Sequence, residues 1–127
     1  MRLTRLHQVA ARRGEPSATR HFYEDLLGTR LLGEFDPPGL IFYEFDGVRL
    51  LLEESAPLAV LYFRVDDIDS AYRTLKGRGV TFDSEPHLIH TDAEGHFDRP
   101  GTAEWMAFFK DPAGNTLALA SRTLPGN

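Results

Sequence analysis

The chain has no cysteine, only one tryptophan among its 127 residues, and no long apolar segment. The lack of cysteine excludes disulfides, thiolate metal sites and a cysteine nucleophile. No segment approaches the ~20 apolar residues of a membrane helix, and the first residues lack the apolar stretch of a signal peptide. We therefore expect a cytoplasmic protein without a membrane partner.

Concentrated positive charge is also missing. The net charge is −5, and no block of basic residues interrupts the mixture of acidic and basic side chains. Because nucleic acids are bound through a concentrated basic surface, we expect no nucleic-acid partner. A length of 127 residues with 42% apolar residues suits one domain with a sizeable core.

What the chain does contain is an internal repeat. Residues 15–28 form a pattern of acidic cap, amphipathic helix and glycine stop, and residues 67–79 repeat it. The caps Glu15 and Asp67 are 67 − 15 = 52 residues apart. Each helix follows a strand-like segment and precedes further strands. The repeat predicts an α+β fold of two βαβββ modules in tandem, residues 1–55 and 58–123, within one domain over 1–127.

The same patterns predict the elements of each module. In the first we expect strands at 6–12, 30–34, 40–45 and 48–53, the last two joined by the hairpin turn Asp46-Gly47. In the second we expect strands at 59–65, 80–84, 105–109 and 116–120, and a helix at 68–76. Residues 85–103 then form a long loop, which is either surface slack or a functional lid, and its three histidines favour the lid.

Each module also contains a short motif, namely Phe22-Tyr23-x-x-Leu26-Leu27-Gly28 in the first and Phe109-Lys110-Asp111-Pro112-x-Gly114-Asn115 in the second. These two motifs resemble the vicinal oxygen chelate superfamily of glyoxalases, bleomycin-resistance proteins and extradiol dioxygenases. Residues 65–79 are similar to the second module of that family. The resemblance implies that the modules form a cleft holding a small organic molecule, and that the protein is a homodimer. It also implies a divalent metal held by a His or Gln in each first strand and a Glu in each fourth strand.

Most of that ligand pattern is missing when it is carried over position by position. Gln8, with neighbouring His7, occupies the first-strand position of the first module. Glu53 lies one step beyond the fourth-strand position and has the same strand parity. The remaining positions hold side chains without donor atoms, namely Leu51, Val60 and Ala118. Two donors are too few for a tightly held metal, so we expect no cofactor; if a metal is present, Gln8, Glu53 and His7 are its ligands.

Tyr62 and Arg64 share strand parity with Val60, so we expect them beside it in the cleft. Arg64 can bind a ligand carboxylate or phosphate, or it can form a structural ion pair. Tyr62 is otherwise a half-buried strand residue. Trp105 can stack on a planar ligand, or it can belong to the core. The sequence does not decide between these alternatives.

The histidines of the second module give a weaker signal. His87 and His90 would share one face of a helix but would point to opposite sides of an extended chain. An extended path is at least as consistent with the neighbouring Pro86, so the pair is a weak metal signal, and a ligand contact is an intermediate alternative. His90, Asp92 and Glu94 would share a face of a strand, but we expect a polar loop with local hydrogen bonds instead.

Together these observations favour a metal-free protein that binds an apolar or aromatic small molecule in the cleft, antibiotic sequestration being one version. The alternative is a metal-dependent lyase, isomerase or dioxygenase of the same superfamily with a rearranged metal site. A third class is an interaction module with a filled cleft. No catalytic residue is assigned. The expected ligand-binding residues are Gln8, Glu53, Val60, Tyr62, Arg64, His87, His90, Trp105 and Ala118.

Overall fold

The computed structural model describes residues 1–126 and confirms the α+β fold of two βαβββ modules. The first module contains β1 (Gln8–Arg12), α1 (Pro16–Arg20), a π-helical segment (His21–Leu26), β2 (Arg30–Phe35), β3 (Leu40–Phe45) and β4 (Val48–Glu53). The second contains β5 (Val60–Arg64), α2 (Ile68–Gly77), β6 (His87–Asp92), β7 (Thr102–Lys110) and β8 (Thr116–Thr123). Over these 126 residues, no helix has the length and apolar character needed to span a membrane.

Each module forms one four-stranded sheet, and the two sheets have the same topology. The strand orders are β1-β4-β3-β2 and β5-β8-β7-β6, with the first pair of each sheet parallel and the other pairs antiparallel. Gln8 pairs with Arg49 in one sheet, and Val60 pairs with Thr116 in the other. The equivalent residues are 60 − 8 = 52 and 116 − 49 = 67 positions apart. The strand pairing therefore follows the internal repeat of the sequence.

The chain divides into two compact units whose boundary differs slightly from that of the sequence repeat. Met1–Ala59 and the short turn Asp111–Asn115 belong to the first unit, and Val60–Lys110 and the chain from Thr116 onward belong to the second. The turn that joins β7 to β8 thus lies in the first unit, although it is part of the second module in sequence. Its side chains explain this arrangement.

Asp111 anchors the turn through a buried network of hydrogen bonds. The Tyr23 hydroxyl donates to Asp111 Oδ2 at 2.6 Å, and Asn115 Nδ2 donates to the same oxygen at 2.8 Å. Asn115 also donates to the carbonyl oxygen of Arg12 at 2.7 Å and accepts from the Ala59 N–H at 2.8 Å. The two family-like motifs therefore meet in one network, because Tyr23 comes from the first and Asp111 and Asn115 from the second.

Aromatic and aliphatic side chains fill the core of each unit. In the first, the rings of Tyr23 and Tyr43 stack with centroids 5.1 Å apart, and both side chains are fully buried. In the second, α2 packs against β7 and β8 and buries Leu75. The other buried apolar residues of β7 and β8 are Ala107, Phe109, Leu117, Ala118 and Leu119.

The strand predicted at 80–84 is wrong, and so is the single long loop predicted at 85–103. Phe82 makes only an isolated bridge to Phe109, and its ring packs between Tyr72 and Phe109 with centroids 4.7 and 4.9 Å away. The second strand of this sheet is β6, which lies inside the region interpreted as a loop. β6 is an edge strand whose first five residues are exposed, so it has no alternating apolar pattern to reveal it.

A β-bulge changes the directions expected for the two histidines of β6. His87 pairs with Met106 and His90 pairs with Glu104, with a register shift between Leu88 and His90. A bulge opposes two residues to one, and the strand alternation therefore shifts by one position. Since Met106 and Glu104 lie on the same face of β7, His87 and His90 also share that face, contrary to the prediction for a regular extended chain.

Candidate functional site

The face of the second sheet that does not pack on α2 carries the residues expected to bind a ligand. Tyr62 pairs with Ala118, and Ala118 pairs with Phe108, so these three side chains form one row across the sheet. The rings of Tyr62 and Phe108 meet edge to face with centroids 6.4 Å apart. Tyr62 is 58% exposed although it belongs to a strand. This face is therefore partly aromatic and open to solvent.

A hollow of about 260 Å³ lies on this face, where β5, β8 and β7 run side by side. Arg64 pairs with Ala120, so the second row of the face has a small residue on the central strand. The methyl group of Ala120 leaves the floor of the hollow low between longer neighbouring side chains. Residues of its floor and walls include Tyr62, Arg64, Phe97, Glu104, Ala120 and Arg122.

Phe97 reaches the hollow from the loop at 93–101, which a buried carboxylate holds in place. Asp92 is 4% exposed and accepts hydrogen bonds from the backbone N–H groups of His96, Phe97 and Asp98 at 2.8, 2.8 and 3.2 Å. The bond from Phe97 contributes most to lowering the pKa of Asp92. Asp92 therefore forms the local hydrogen bonds that the sequence predicted. It lies at the end of β6, however, and not in a loop.

The charged groups of the hollow differ in how they are satisfied. Arg122 Nη1 lies 3.2 Å from Asp98 Oδ2 and donates to the carbonyl oxygen of Phe97 at 3.3 Å. By contrast, Arg64 and Glu104 form no ion pair or side-chain hydrogen bond among residues 1–126. The structural ion pair considered for Arg64 is thus not formed. Two opposite charges in the hollow remain available to a ligand.

The other expected ligand residues of the second unit are distributed over both faces of the sheet. Val60 is 53% exposed and precedes Tyr62 by two residues, on the same face. His87 and His90 lie on that face too, and the His87 ring is 6.3 Å from that of Phe108. Ala118 belongs to the face but is fully buried beneath its neighbours. Trp105 pairs with Ser121 and lies on the opposite face, so it does not join this group.

The metal ligands considered for the first unit are not brought together. Gln8 pairs with Arg49, whereas Glu53 pairs with Arg12 four residues further along β1, a separation of about 13 Å. His7 Nε2 lies 2.9 Å from Arg49 Nη2, so its lone pair accepts from a guanidinium. A permanent positive charge beside Gln8 and His7 opposes a divalent cation. No group of three or more acidic or histidine side chains in residues 1–126 is arranged to hold a metal.

Two larger hollows are less suited to a ligand, because one has no phenylalanine, tyrosine or tryptophan in its lining and the rings of the other already pack on protein groups. One, of about 460 Å³, lies between residues 5–7 and 46–48 of the first unit, next to the exposed N-terminal segment. The other, of about 470 Å³, lies where α2 ends and includes Tyr72, Lys76, residues 79–82, Ser84 and Glu85. Ligand sites usually combine apolar walls with a few convergent polar groups. The hollow beside Tyr62 and Arg64 fits that description best.

Partly exposed charged side chains of the first unit form a structural cluster with the buried Tyr43. Arg20 forms ion pairs with Glu24 at 2.8 Å and with Glu34 at 3.0 Å, and the Tyr43 hydroxyl donates to Glu24 at 2.9 Å. The hydrogen bond from Arg20 lowers the pKa of Glu24, and burial raises the pKa of Tyr43. Each of these groups already has partners, so the cluster stabilises the packing of the helix on β3 and offers no free group to a substrate.

Sequence reasoning missed five residues of the hollow, namely Phe97, Glu104, Ala120, Ser121 and Arg122. Arg122 lies beyond the predicted end of its strand, and Phe97 belongs to a loop without any pattern. Glu104 lies before the predicted start of β7, although strand alternation back from Phe108 would have indicated its face. Ala120 was treated only as the end of a strand. Its small size became informative once the longer residues on either side were known.

Comparison with known proteins identifies the fold and the family. A family model described as the Glyoxalase/Bleomycin resistance protein/Dioxygenase superfamily matches residues 5–119. No curated protein gives a significant match. A superfamily member from Sphaerobacter thermophilus is similar in structure, with a TM-score of 0.72, 22% identity, and coverage of 94% of this chain and 98% of that one.

Two further solved structures with this fold carry functional descriptions. A lactoylglutathione lyase from Agrobacterium tumefaciens has a TM-score of 0.71 and 18% identity, over 94% of this chain and 95% of that chain. TnmS3, an antibiotic binding protein from Streptomyces sp. CB03234, has a TM-score of 0.71 and 22% identity, over 97% and 99%. The same scaffold therefore occurs in a lyase and in a binding protein, and at these identities the likeness establishes the fold alone.

Proposed function

Since this chain belongs to the Glyoxalase/Bleomycin resistance protein/Dioxygenase superfamily, we propose that it is a metal-free protein that binds a small organic molecule on the open face of its second sheet. The observation that carries this proposal is the hollow of about 260 Å³ beside Tyr62, which leaves an aromatic strand residue 58% exposed. Exposed apolar surface with a few convergent polar groups is typical of ligand sites. The antibiotic binding protein that shares the fold is a precedent for the binding of a small organic molecule.

The chemistry of the available donors supports the metal-free part of the proposal. Val60, Leu51 and Ala118, at the family-like ligand positions, have no atoms that coordinate a cation. Arg49 donates to His7 and pairs in register with Gln8, which adds positive charge beside the remaining candidates. Elemental analysis of the purified protein tests this point. Zinc, nickel, manganese or iron at one equivalent per chain would overturn it.

The alternative, a metal-dependent lyase, isomerase or dioxygenase, predicts stabilisation by a divalent ion. A ligand that binds only the native state raises the melting temperature by mass action. We expect no rise with these metals at concentrations up to millimolar. A saturable rise that disappears in Gln8→Ala or Glu53→Ala would favour the enzyme instead. The homodimer stays a prediction, and the molar mass measured by light scattering during size-exclusion chromatography tests it.

Amide chemical shifts test the ligand site directly. We expect simple aromatic compounds to shift signals of β5 and β8 around Tyr62 and Ala120 in a saturable way. Ala120→Leu should abolish these shifts because the larger side chain fills the floor of the hollow. The matched control is Ala18→Leu, which adds the same group at an exposed position of the first unit. Shifts that are confined to the first unit, or that survive in Ala120→Leu, would contradict the proposal.

A further inference from the structure

Arg64 is the exposed cation of the hollow and has no anionic partner among residues 1–126. A guanidinium presents several N–H donors in a planar fork that matches a carboxylate. The neighbouring cation, Arg122, is already bonded to Asp98 and to the carbonyl oxygen of Phe97. Among the two arginines of the hollow, Arg64 is therefore the one available to bind the anionic group of a ligand.

Glu104 supplies the opposite charge at the other side of the hollow. It lies on β7, two strands away from Arg64. Arg64 pairs with Ala120 and Ala120 pairs with Met106, so Met106 is the residue of β7 level with Arg64, and Glu104 is two residues from it on the same face. Strand spacing and rise then separate the two Cα atoms by roughly 12 Å. Both side chains extend from the same face, so their charged ends can contact one small molecule between them. A carboxylate without a protein donor suits a hydroxyl or amine of that molecule.

The floor and wall of the hollow determine the shape that fits between these charges. Ala120 gives a low floor between Arg64 and Met106. Phe97 forms part of a wall and is 73% exposed, yet its backbone is fixed from two sides, by Asp92 and by Arg122. An aromatic side chain on a fixed backbone loses little freedom when a planar group packs on it. A flat molecule therefore suits the space better than a bulky one.

We infer that the ligand is a planar organic acid that also carries a hydrogen-bond-donating hydroxyl or amine. Arg64 binds its acidic group, Glu104 accepts from its donor, and its ring lies over Ala120 against Phe97. This inference rests on the proposed function, because it specifies the chemistry of the molecule that the hollow binds. It excludes purely apolar compounds as the preferred ligands, since these would leave both charges without a partner while displacing their water.

Three related probes separate the contributions of the two charged residues. The probe 4-hydroxybenzoate carries both groups, benzoate carries only the acid, and phenol carries only the donor. We expect 4-hydroxybenzoate to bind best in an NMR titration. Arg64→Gln should weaken the binding of 4-hydroxybenzoate and benzoate by about 10-fold or more, which is the effect of losing a hydrogen bond to a charged group. The affinity for phenol should not change. Glu104→Gln should reduce the advantage of 4-hydroxybenzoate over benzoate.

The matched control is Arg30→Gln, which removes the same charge from an exposed strand position of the first unit. It should leave all three affinities unchanged, whereas an effect equal to that of Arg64→Gln would attribute binding to net charge and overturn the inference. If the three probes bind with equal affinity, and Ala120→Leu or Tyr62→Ala abolishes the binding of all three, the proposed function stands and the inference fails. If no probe binds the native protein even at tens of millimolar, both fail.

Discussion

Replacing Tyr23 by phenylalanine tests the buried network that connects the two family-like motifs. Tyr23 is fully buried, and its hydroxyl donates to Asp111 Oδ2 at 2.6 Å. The substitution keeps the ring that stacks on Tyr43 but removes one of two side-chain hydrogen bonds to that oxygen. A hydrogen bond to a charged group contributes about 1.5–3 kcal/mol, and the remaining donor, Asn115, keeps the carboxylate partly satisfied. We therefore expect the free energy of unfolding to fall by about 2 kcal/mol.

Urea unfolding followed by circular dichroism measures this loss, and the matched control is Tyr62→Phe. Tyr62 is 58% exposed and its hydroxyl has no hydrogen-bond partner within residues 1–126, so the same chemical change should cost under about 0.5 kcal/mol there. Equal losses in the two variants would refute the reasoning. An unfolding slope that differs from that of the native protein would show that the denatured state had changed as well.

The same variant should also alter the response to alkaline pH. Burial, with the negative charge of Asp111, raises the pKa of Tyr23, so the folded protein keeps this proton while an unfolded tyrosine loses it near pH 10. The contribution of the protonated Tyr23 to stability is complete below about pH 10 and is lost as the pH rises further. The free energy of unfolding should fall by about 1.4 kcal/mol per pH unit for this proton, and Tyr23→Phe should lack that part of the slope.

Two further substitutions test the second unit. Asp92→Asn should increase amide hydrogen exchange at Phe97, and unchanged exchange would contradict the role of Asp92 in ordering the loop. Hydrogen bonds to the carboxylate lower the pKa of Asp92, so its stabilising contribution is lost as the pH falls below about 4. The variant should therefore lose less stability than the native protein over that pH range. Phe63→Ala should lower the free energy of unfolding by about 3 kcal/mol, because Phe63 is half-buried and pairs with the buried Leu119. Arg64→Ala should weaken ligand binding and change the free energy of unfolding by no more than about 0.5 kcal/mol. Similar stability losses for these two variants, in thermal unfolding, would show that the strand faces are assigned incorrectly.

Much of the fold was predictable because its strongest signals are local. The turn Asp46-Gly47 fixes the hairpin, and the predicted bounds of β3 and β4 agree with the structure. Glu15 accepts from the backbone N–H groups of Ser17 and Ala18 as a helix cap, which confirms the helix start. The π-helical segment at His21–Leu26 was not predictable, since an apolar stripe of this length fits several helical periods.

The site was less predictable because it depends on how strands align. Tyr62 and Arg64 were found through simple alternation, which holds along the regular strand β5. Alternation fails across the bulge at Leu88, so the common face of His87 and His90 was not foreseen. Alternation back from Phe108 indicates the face of Glu104, but its place in the hollow depends on its pairing with Arg122 of β8. Such a relation joins residues distant in sequence and leaves no local signal.

The turn Asp111–Asn115 has a consequence for the duplication itself. Its sequence belongs to the second copy, but it completes the packing of the first unit. A fragment that ends at Ala59 would leave the fully buried Tyr23 hydroxyl without its acceptor Asp111, and the half-buried Ala59 N–H without its acceptor Asn115. The first unit therefore depends on a turn that the second copy encodes, so the first module alone lacks part of its own hydrogen-bond network.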